Sequence, residues 1–395
     1  MSYSSRLQQL DSFLAETASL WQPQPFKVRR PTWCSDHPEL THALLALDAP
    51  SLAYFASDQK ALIDFISTHI AQITLIPSLT ELPTAPSKQH HLIAPHQSSG
   101  IPGRKWQQIT SLYHCLEKPA FAITEWCGGK AYLGQLLARE WQQQVITLEQ
   151  NAQLIESGQV AADKQGVDQT FAMVDVLKDS VSQYLSHHHT IALHACGDLH
   201  RELIKQIIRT NAPSFTIIPC CYHLGHHTNY TPFNCSLKLQ LSRETLRLAV
   251  NETVTAHHNE VQNRNLDMAW KLGFQQLRAA LTKSSEYHAF KPVPKAWLKG
   301  DFKEYCEKLS EREQLTLPEH VDWQTWENSA HQRQHDVLRL QLLRQCFKRV
   351  LELWLIMDMA VYLEQHDYIV SVHTFCKRTI TPRNIIIEGK RRLPF

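Results

Sequence analysis

The chain has 395 residues, enough for a large core and two or three domains, and its formal net charge of +2 leaves no bulk electrostatic footprint for nucleic acid. The most apolar stretch, Val350 to Leu363, carries Glu352 and Asp358 and is too short to span a membrane. The opening MSYSSRLQQLDSFLAE is polar and amphipathic rather than a secretory signal, so the ten cysteines are expected to be reduced thiols in a cytoplasmic protein.

Leu7, Leu10, Phe13 and Leu14 share one helical face, and His42–Leu47 and Leu52–Ile76 suggest further helices, so residues 1–100 read as a mainly helical N-terminal domain. Prolines at 77, 83, 86, 95 and 102 mark the connection to the next domain. Gly103-Arg104-Lys105 precedes a helix expected over Trp106–Cys115. Then comes the densest signal in the chain. Ala120–Thr124 reads as a buried strand, Glu125 adds a carboxylate at its end, and Cys127-Gly128-Gly129 forms a turn. Leu133, Leu136 and Leu137 follow at helical spacing. Adjacent glycines let backbone approach a ligand without a Cβ in the way, and the helix behind them points free N–H groups at whatever sits there.

Two more strands end in acids: Val145–Leu148 runs into Glu149, and Phe171–Val174 into Asp175. Carboxylates at the carboxyl ends of neighbouring strands are what an open α/β sheet uses to hold a nucleoside. A helix is expected over Val176–Leu185, and the His187–His189 run reads as a solvated connection. Thr190–Leu193 leads into His194-Ala195-Cys196-Gly197-Asp198, a helix covers Arg201–Arg209, and Phe215–Ile218 leads into Pro219-Cys220-Cys221-Tyr222-His223. Five strand–helix alternations call for a parallel, doubly wound sheet over residues 101–224. From 225 to 336 the alternation stops, with helices expected over Leu246–Val254 and Leu266–Leu281 and a short amphipathic piece at Asp301–Leu309, an insertion suited to a lid or to substrate recognition. Residues 337–395 return to the sheet, through one long helix over Val337–Gln365, a strand over Tyr368–Phe375, a Thr381-Pro382-Arg383-Asn384 turn and a last strand at Ile385–Ile387 paired antiparallel with it.

The run lacks both the G-x-G-x-x-G dinucleotide fingerprint and a phosphate loop. EWCGGKAYLGQLLA resembles instead the first motif of class I S-adenosylmethionine-dependent methyltransferases, in the form D-F-C-[AG]-G-K-G-x-L-G. HACGDL, PCCYH and TPRN are similar to motifs of the methyltransferase-domain family that includes the glutathione S-transferase C-terminal-domain-containing and methyltransferase-like proteins. HACG and CCYH also resemble the H-L-C-G and C-C-H-H motifs of tRNA 2′-O-methyltransferases acting on the acceptor stem. The resemblance implies a Rossmann-like, seven-stranded α/β sheet with an antiparallel C-terminal strand pair, and S-adenosyl-L-methionine as cofactor. It places Glu125 near the methionine amino group, Cys127, Gly128 and Gly129 in the turn over the methionine moiety, Glu149 at the ribose hydroxyls, Asp175 by the adenine, and His194 and Cys196 on the floor beyond strand four. Glu125 replaces the commoner Asp, and Ala131 replaces the motif's third glycine, where its methyl would crowd the cofactor.

Methyl transfer from a sulfonium needs mainly in-line alignment, with a base to take the acceptor's proton. His194 and His223 are candidates for that base, and Cys220, in a Pro-Cys pair, for a thiolate nucleophile. His194, Cys196, Cys220, Cys221 and His223 have metal-ligand chemistry without zinc-finger spacing, and buried packing is the preferred reading, so no metal is expected. The resemblance favours RNA as the substrate, with Arg378, Arg383, Lys390, Arg391 and Arg392 near the last strands read either as phosphate contacts or as a solvated basic tail. A protein substrate, or a cofactor-binding scaffold with little or no activity, is the alternative.

Overall fold

The computed structural model describes residues 2–88, 93, 95–98, 100–225, 227–250, 258–284 and 286–392. By backbone proximity the chain divides into two compact units, one made of residues 1–15, 77–252 and 348–395 and the other of 16–76 and 253–347. The helical segment expected over 1–100 and the insertion expected over 225–336 thus each contribute residues to both units.

The first unit is built on seven strands: β1 (Ala122–Trp126), β2 (Val145–Glu149), β3 (Gln169–Met173), β4 (His188–Cys196), β5 (Ser214–Cys220), β6 (Tyr368–Thr374) and β7 (Ile385–Arg391). Their order is β3-β2-β1-β4-β5-β7-β6, with β1 to β5 parallel and β7 antiparallel to both its neighbours. This is the Rossmann-like seven-stranded class I methyltransferase sheet. The order reverses between β1 and β4, so a crevice opens at the carboxyl ends of those two strands. Helices α1 (Gly103–Tyr113), α2 (Tyr132–Trp141), α3 (Ala152–Gln165), α4 (Asp198–Thr210) and α5 (Lys348–Glu364) accompany the sheet. Ile109 and Leu112 of α1, Leu133, Leu136 and Leu137 of α2, and Ile123, Val145 and Ile191 of the strands form one buried cluster. That packing fixes the turn between β1 and α2 against the strand tips.

Four expectations change. Helix Val176–Leu185 is helical only over Ser182–Leu185. Asp175 Oδ1 accepts the Leu177 N–H at 3.1 Å and Asp179 Oδ2 accepts the Asp175 N–H at 2.8 Å, and this local side-chain bonding holds a turn where helix was expected. The histidine run is not a solvated connection, because His188 and His189 open β4. His188 Nδ1 pairs with Thr124 Oγ1 at 2.7 Å, and His189 pairs through Nδ1 with Ser214 Oγ at 2.8 Å and through Nε2 with Thr216 Oγ1 at 3.2 Å. Hydroxyls on the flanking strands satisfy imidazoles that the apolar pattern left outside the sheet. The long helix over Val337–Gln365 is two helices, Trp323–Cys346 and α5, and the break at Phe347 is where one unit gives way to the other. The helix expected over Leu246–Val254 is helical at Arg247–Val250, and its residues 251–254 lie outside the described residues.

The segment after β5 belongs to the sheet unit. The buried Asp358 of α5 accepts from the Tyr230 hydroxyl at 2.8 Å and from the backbone N–H groups of Phe233 and Asn234 at 2.9 and 3.0 Å. The first helix, Tyr3–Glu16, joins the same unit, where Asp11 accepts the Lys238 N–H at 2.8 Å and the Trp354 indole N–H at 3.0 Å. Among the described residues no helix is long and apolar enough to cross a membrane.

Candidate active site

The β1–α2 turn is built on a buried polar relay. Gln169 Nε2 donates to Thr147 Oγ1 at 2.9 Å, and Thr147 Oγ1 donates to Glu125 Oε2 at 3.0 Å. The Gly134 N–H donates to the same carboxylate. A Cβ on Gly134 would lie 2.5 Å from Glu125 Oε2, and one on Gly128 would lie 2.8 Å from it, so these glycines exist to let α2 and the turn close over the acid. Burial dominates Glu125 and raises its pKa to about 7, against the lowering effects of Thr147, Gly134 and Lys105. Glu125 is therefore the prop of the turn as well as part of the wall above it.

Glu149, at the tip of β2, holds the turn from the other side. Its Oε2 accepts the Gly129 N–H at 3.0 Å, and its Oε1 accepts the N–H groups of Gln150 and Asn151, each at 3.0 Å. A carboxylate offers about four acceptor positions, so one stays open for a ligand hydroxyl. Cys127 sits between the tips. Its thiol is pushed up to about 12 by burial, reinforced by the negative fields of Glu149, Cys196 and Asp175. Asp175 itself is partly exposed and ion-paired, with Lys178 Nζ 2.8 Å from Oδ2.

A cavity of about 490 Å³ opens over this turn, lined among others by Glu125, Cys127, Gly128, Gly129 and His194, and by Arg104, Lys105 and Gln108 of α1. It has the size of a cofactor-scale site. Lys105 Nζ lies 4.8 Å from the centre of the Tyr132 ring, which also lines the cavity. Ala131 does not reach it. The residue is fully buried with φ 55°, so its methyl strains the backbone rather than crowding a ligand.

His194 is presented by an irregularity. The β4–β5 register shifts between Leu193 and Cys196, and His194 adopts φ 66°. Its Nε2 pairs with Gln108 Oε1 at 3.2 Å, while its buried Nδ1 has no hydrogen-bond partner among the described residues. Burial lowers its pKa to about 4, so the imidazole is neutral at physiological pH and a weak base. His223 lines a second cavity of about 390 Å³ with Cys196, Asp198, Arg243 and Arg247. Its pKa is lowered too, by burial first and by the Arg247 charge next. Cys220 is buried, and its thiol is pushed far up by hydrogen bonds with Cys196 and Cys221 and by burial. Cys220 lines neither cavity, which argues against the substrate-facing nucleophile expected there.

The structure thus gathers Glu125, Cys127, Gly128, Gly129 and His194 around one cavity, and His223 and Cys196 around another. Sequence reasoning missed Thr147, Gln169 and Gln108. The first two carry a faint signal, a polar residue facing inward in an otherwise apolar strand.

Residues 104–226 match a protein family described as a methyltransferase domain. Among curated proteins, none matches the chain. Among solved structures, the tRNA (uracil-54, C5)-methyltransferase of Pyrococcus abyssi, determined with S-adenosyl-L-homocysteine, is similar at 20% identity over 29% of this chain and 28% of that one, with a TM-score of 0.25. The PH0226 protein of Pyrococcus horikoshii is similar at 14% identity over 32% of this chain and 62% of that one, with a TM-score of 0.27. The plantazolicin methyltransferase BpumL, also determined with S-adenosyl-L-homocysteine, is similar at 8% identity over 87% of this chain and all of that one, with a TM-score of 0.30. The chain spans less than two thirds of the length of the first two of these proteins. At such TM-scores the substrates of those proteins carry nothing over. Residues 104–226 thus match a methyltransferase domain, and the sheet they help to build has the strand order of the class I methyltransferase fold.

Proposed function

We propose that the chain is an S-adenosylmethionine-dependent methyltransferase whose substrate is RNA. The observation that carries the first half is the cavity above the Cys127-Gly128-Gly129 turn, with Glu125 in its wall and the Glu149 carboxylate bonded to the turn. Residues that would hold the cofactor are present. The turn and Glu125 suit the methionine end, the free acceptor position of Glu149 suits ribose hydroxyls, and the partly exposed Asp175 lies one strand further on. The cofactor supplies an electrophilic methyl group, and the chain's own contribution is to align it with the acceptor and exclude water. The neutral His194 is suited to hydrogen-bonding an acceptor group rather than to carrying a full proton away.

RNA is favoured by the second cavity, where Arg243 and Arg247 bring two positive charges beside Asp198 and the neutral His223, a recess suited to a phosphate. Of the basic residues expected to meet RNA, Lys390 pairs with Glu117 at 3.3 Å and Arg383 turns its guanidinium to the Val250 carbonyl, so the recess is the better footprint. Calorimetry with S-adenosylmethionine tests the site. Glu149→Ala removes both the ribose acceptor and the bond that holds Gly129, and affinity should fall at least tenfold, the order of one lost hydrogen bond to a charged group. Unchanged affinity would remove this assignment. Incubating the chain with tritiated cofactor and total RNA or protein tests the substrate. Label in protein alone would refute RNA, and cofactor binding without any label would favour the scaffold reading.

A further inference from the structure

Outside the cofactor cavity, the strongest unexplained feature is three thiols at the tips of β4 and β5. The sulfurs of Cys196, Cys220 and Cys221 all lie within 4.8 Å of one another, and Cys196 Sγ is 3.2 Å from Cys220 Sγ. All three are free thiols. The fold goes to some trouble to bring them together. The register shift after Leu193 sets Cys196 opposite Cys220. Gly197 then packs so tightly on the chain that a Cβ there would lie 1.5 Å from the Leu224 carbonyl oxygen. The Gly197 N–H donates to the Cys220 carbonyl at 3.3 Å, and the Asp198 N–H donates to the Leu224 carbonyl at 3.0 Å. Cys221 completes the trio in a left-handed conformation, φ 45°.

That conformation is disfavoured for a residue that carries a Cβ. Thiols are weak donors and weak acceptors, so mutual S–H contacts do little to offset that. A disulfide would use two of the sulfurs and leave the third aside. A thiophilic cation uses all three. In a tetrahedral zinc site with Zn–S bonds near 2.3 Å, the sulfurs sit about 3.8 Å apart. Cys196 and Cys220 stand slightly closer than that at 3.2 Å, and all three sulfurs stay within 4.8 Å of one another. Strain held in place by the surrounding backbone is what a preformed ligand set shows.

We propose that Cys196, Cys220 and Cys221 bind a zinc ion as three thiolates, with a fourth coordination position open to a ligand from the neighbouring cavity. Cys196 belongs to both the trio and that cavity. Binding converts three S–H groups to thiolates and releases their three protons to solvent, with no change of oxidation state. The resulting complex carries a net charge of about −1. Arg383 lies within electrostatic reach of Cys221 and Cys196 to balance it. Three protein ligands and one open position is the arrangement of a catalytic rather than a structural zinc. The site does not depend on the methyl-transfer reading, and its test does not measure methyl transfer.

The test is elemental analysis of the full chain purified under reducing conditions, followed by replacement of the metal with cobalt(II). Expected are about one zinc per chain, intense thiolate-to-cobalt charge-transfer absorption in the near ultraviolet, and visible cobalt bands that shift on adding azide. Cys221→Ser should lose the zinc at least tenfold, while Cys235→Ser, at an exposed thiol away from the trio, keeps it. Zinc below a tenth of an equivalent with no cobalt charge-transfer band in the unmutated chain would overturn the proposal, whatever the variants do. So would zinc held equally by Cys221→Ser. Cobalt bands indifferent to azide would overturn the open position.

Discussion

Glu125 offers a sharp test of how the turn is supported. It is fully buried, accepts from Thr147 Oγ1 at 3.0 Å, and has its pKa raised from 4.5 to about 7, chiefly by burial. Between those values the folded chain holds a proton that the unfolded chain has released, so stability falls as pH rises through the window and is level above it. The shift corresponds to about 3 kcal/mol lost between pH 4.5 and pH 8, at about 1.4 kcal/mol per pKa unit. Glu125→Gln keeps an oxygen for Thr147 and Gly134 but has no proton to lose. Hydrogen exchange at the β1 and β2 amides, followed at pH 5 and pH 8, should show protection in the unmutated chain weakening relative to Glu125→Gln by about two powers of ten. The exchange reports these strands alone, which matters in a chain of two compact units. On the placement proposed for S-adenosylmethionine, whose amino and sulfonium groups are cationic, saturating cofactor should flatten the dependence by favouring the ionised form. Parallel protection in the two proteins would mean that the acid does not titrate in this window, and that the turn is not held over a reluctant carboxylate.

Two further substitutions probe the backbone around the site. Ala131→Gly relieves a left-handed residue at φ 55° that is buried and touches no cavity, and it should stabilise the chain by about 1 kcal/mol, read as a higher melting temperature with cofactor affinity unchanged within twofold. Gly197→Ala sets a methyl 1.5 Å from the Leu224 carbonyl at φ 56°, and it should cost more than about 3 kcal/mol or prevent folding; a melting temperature within a few degrees of the unmutated chain would show that the β4 and β5 tips yield.

Much of the sheet could be read in the chain because its central strands are buried on both faces. Ile123, Val145, Ile191 and Ile217 sit in runs that alternate with helices, and parallel crossovers leave few ways to join them. The acids were legible for a related reason. Each stood directly after an apolar run, where the strand gives way to a turn, and Glu149 and Asp175 there accept backbone N–H groups of the residues that follow. What could not be read was the polar content of the strands themselves. His189 is half-buried yet lies in β4, because Ser214 and Thr216 on the adjacent β5 pair with both its ring nitrogens. A periodicity argument counts such an imidazole as solvated.

The same limit explains why Glu125 read as a ligand contact and not as a prop. Its partners, Thr147 and the Gly134 amide, come from β2 and from the first turn of α2, 22 and 9 positions along the chain. No local pattern joins them. Only after the sheet closes does the need for a glycine at 134 become visible. Gly134 is not there for a turn: it lies inside a helix, where glycine costs about 1 kcal/mol against alanine. That cost is offset by letting the helix sit down on the carboxylate and on Gln169. A glycine in the middle of an apolar helical face, just behind a glycine turn, is therefore a sequence signal for a buried acid beneath it, and it was present in the chain from the outset.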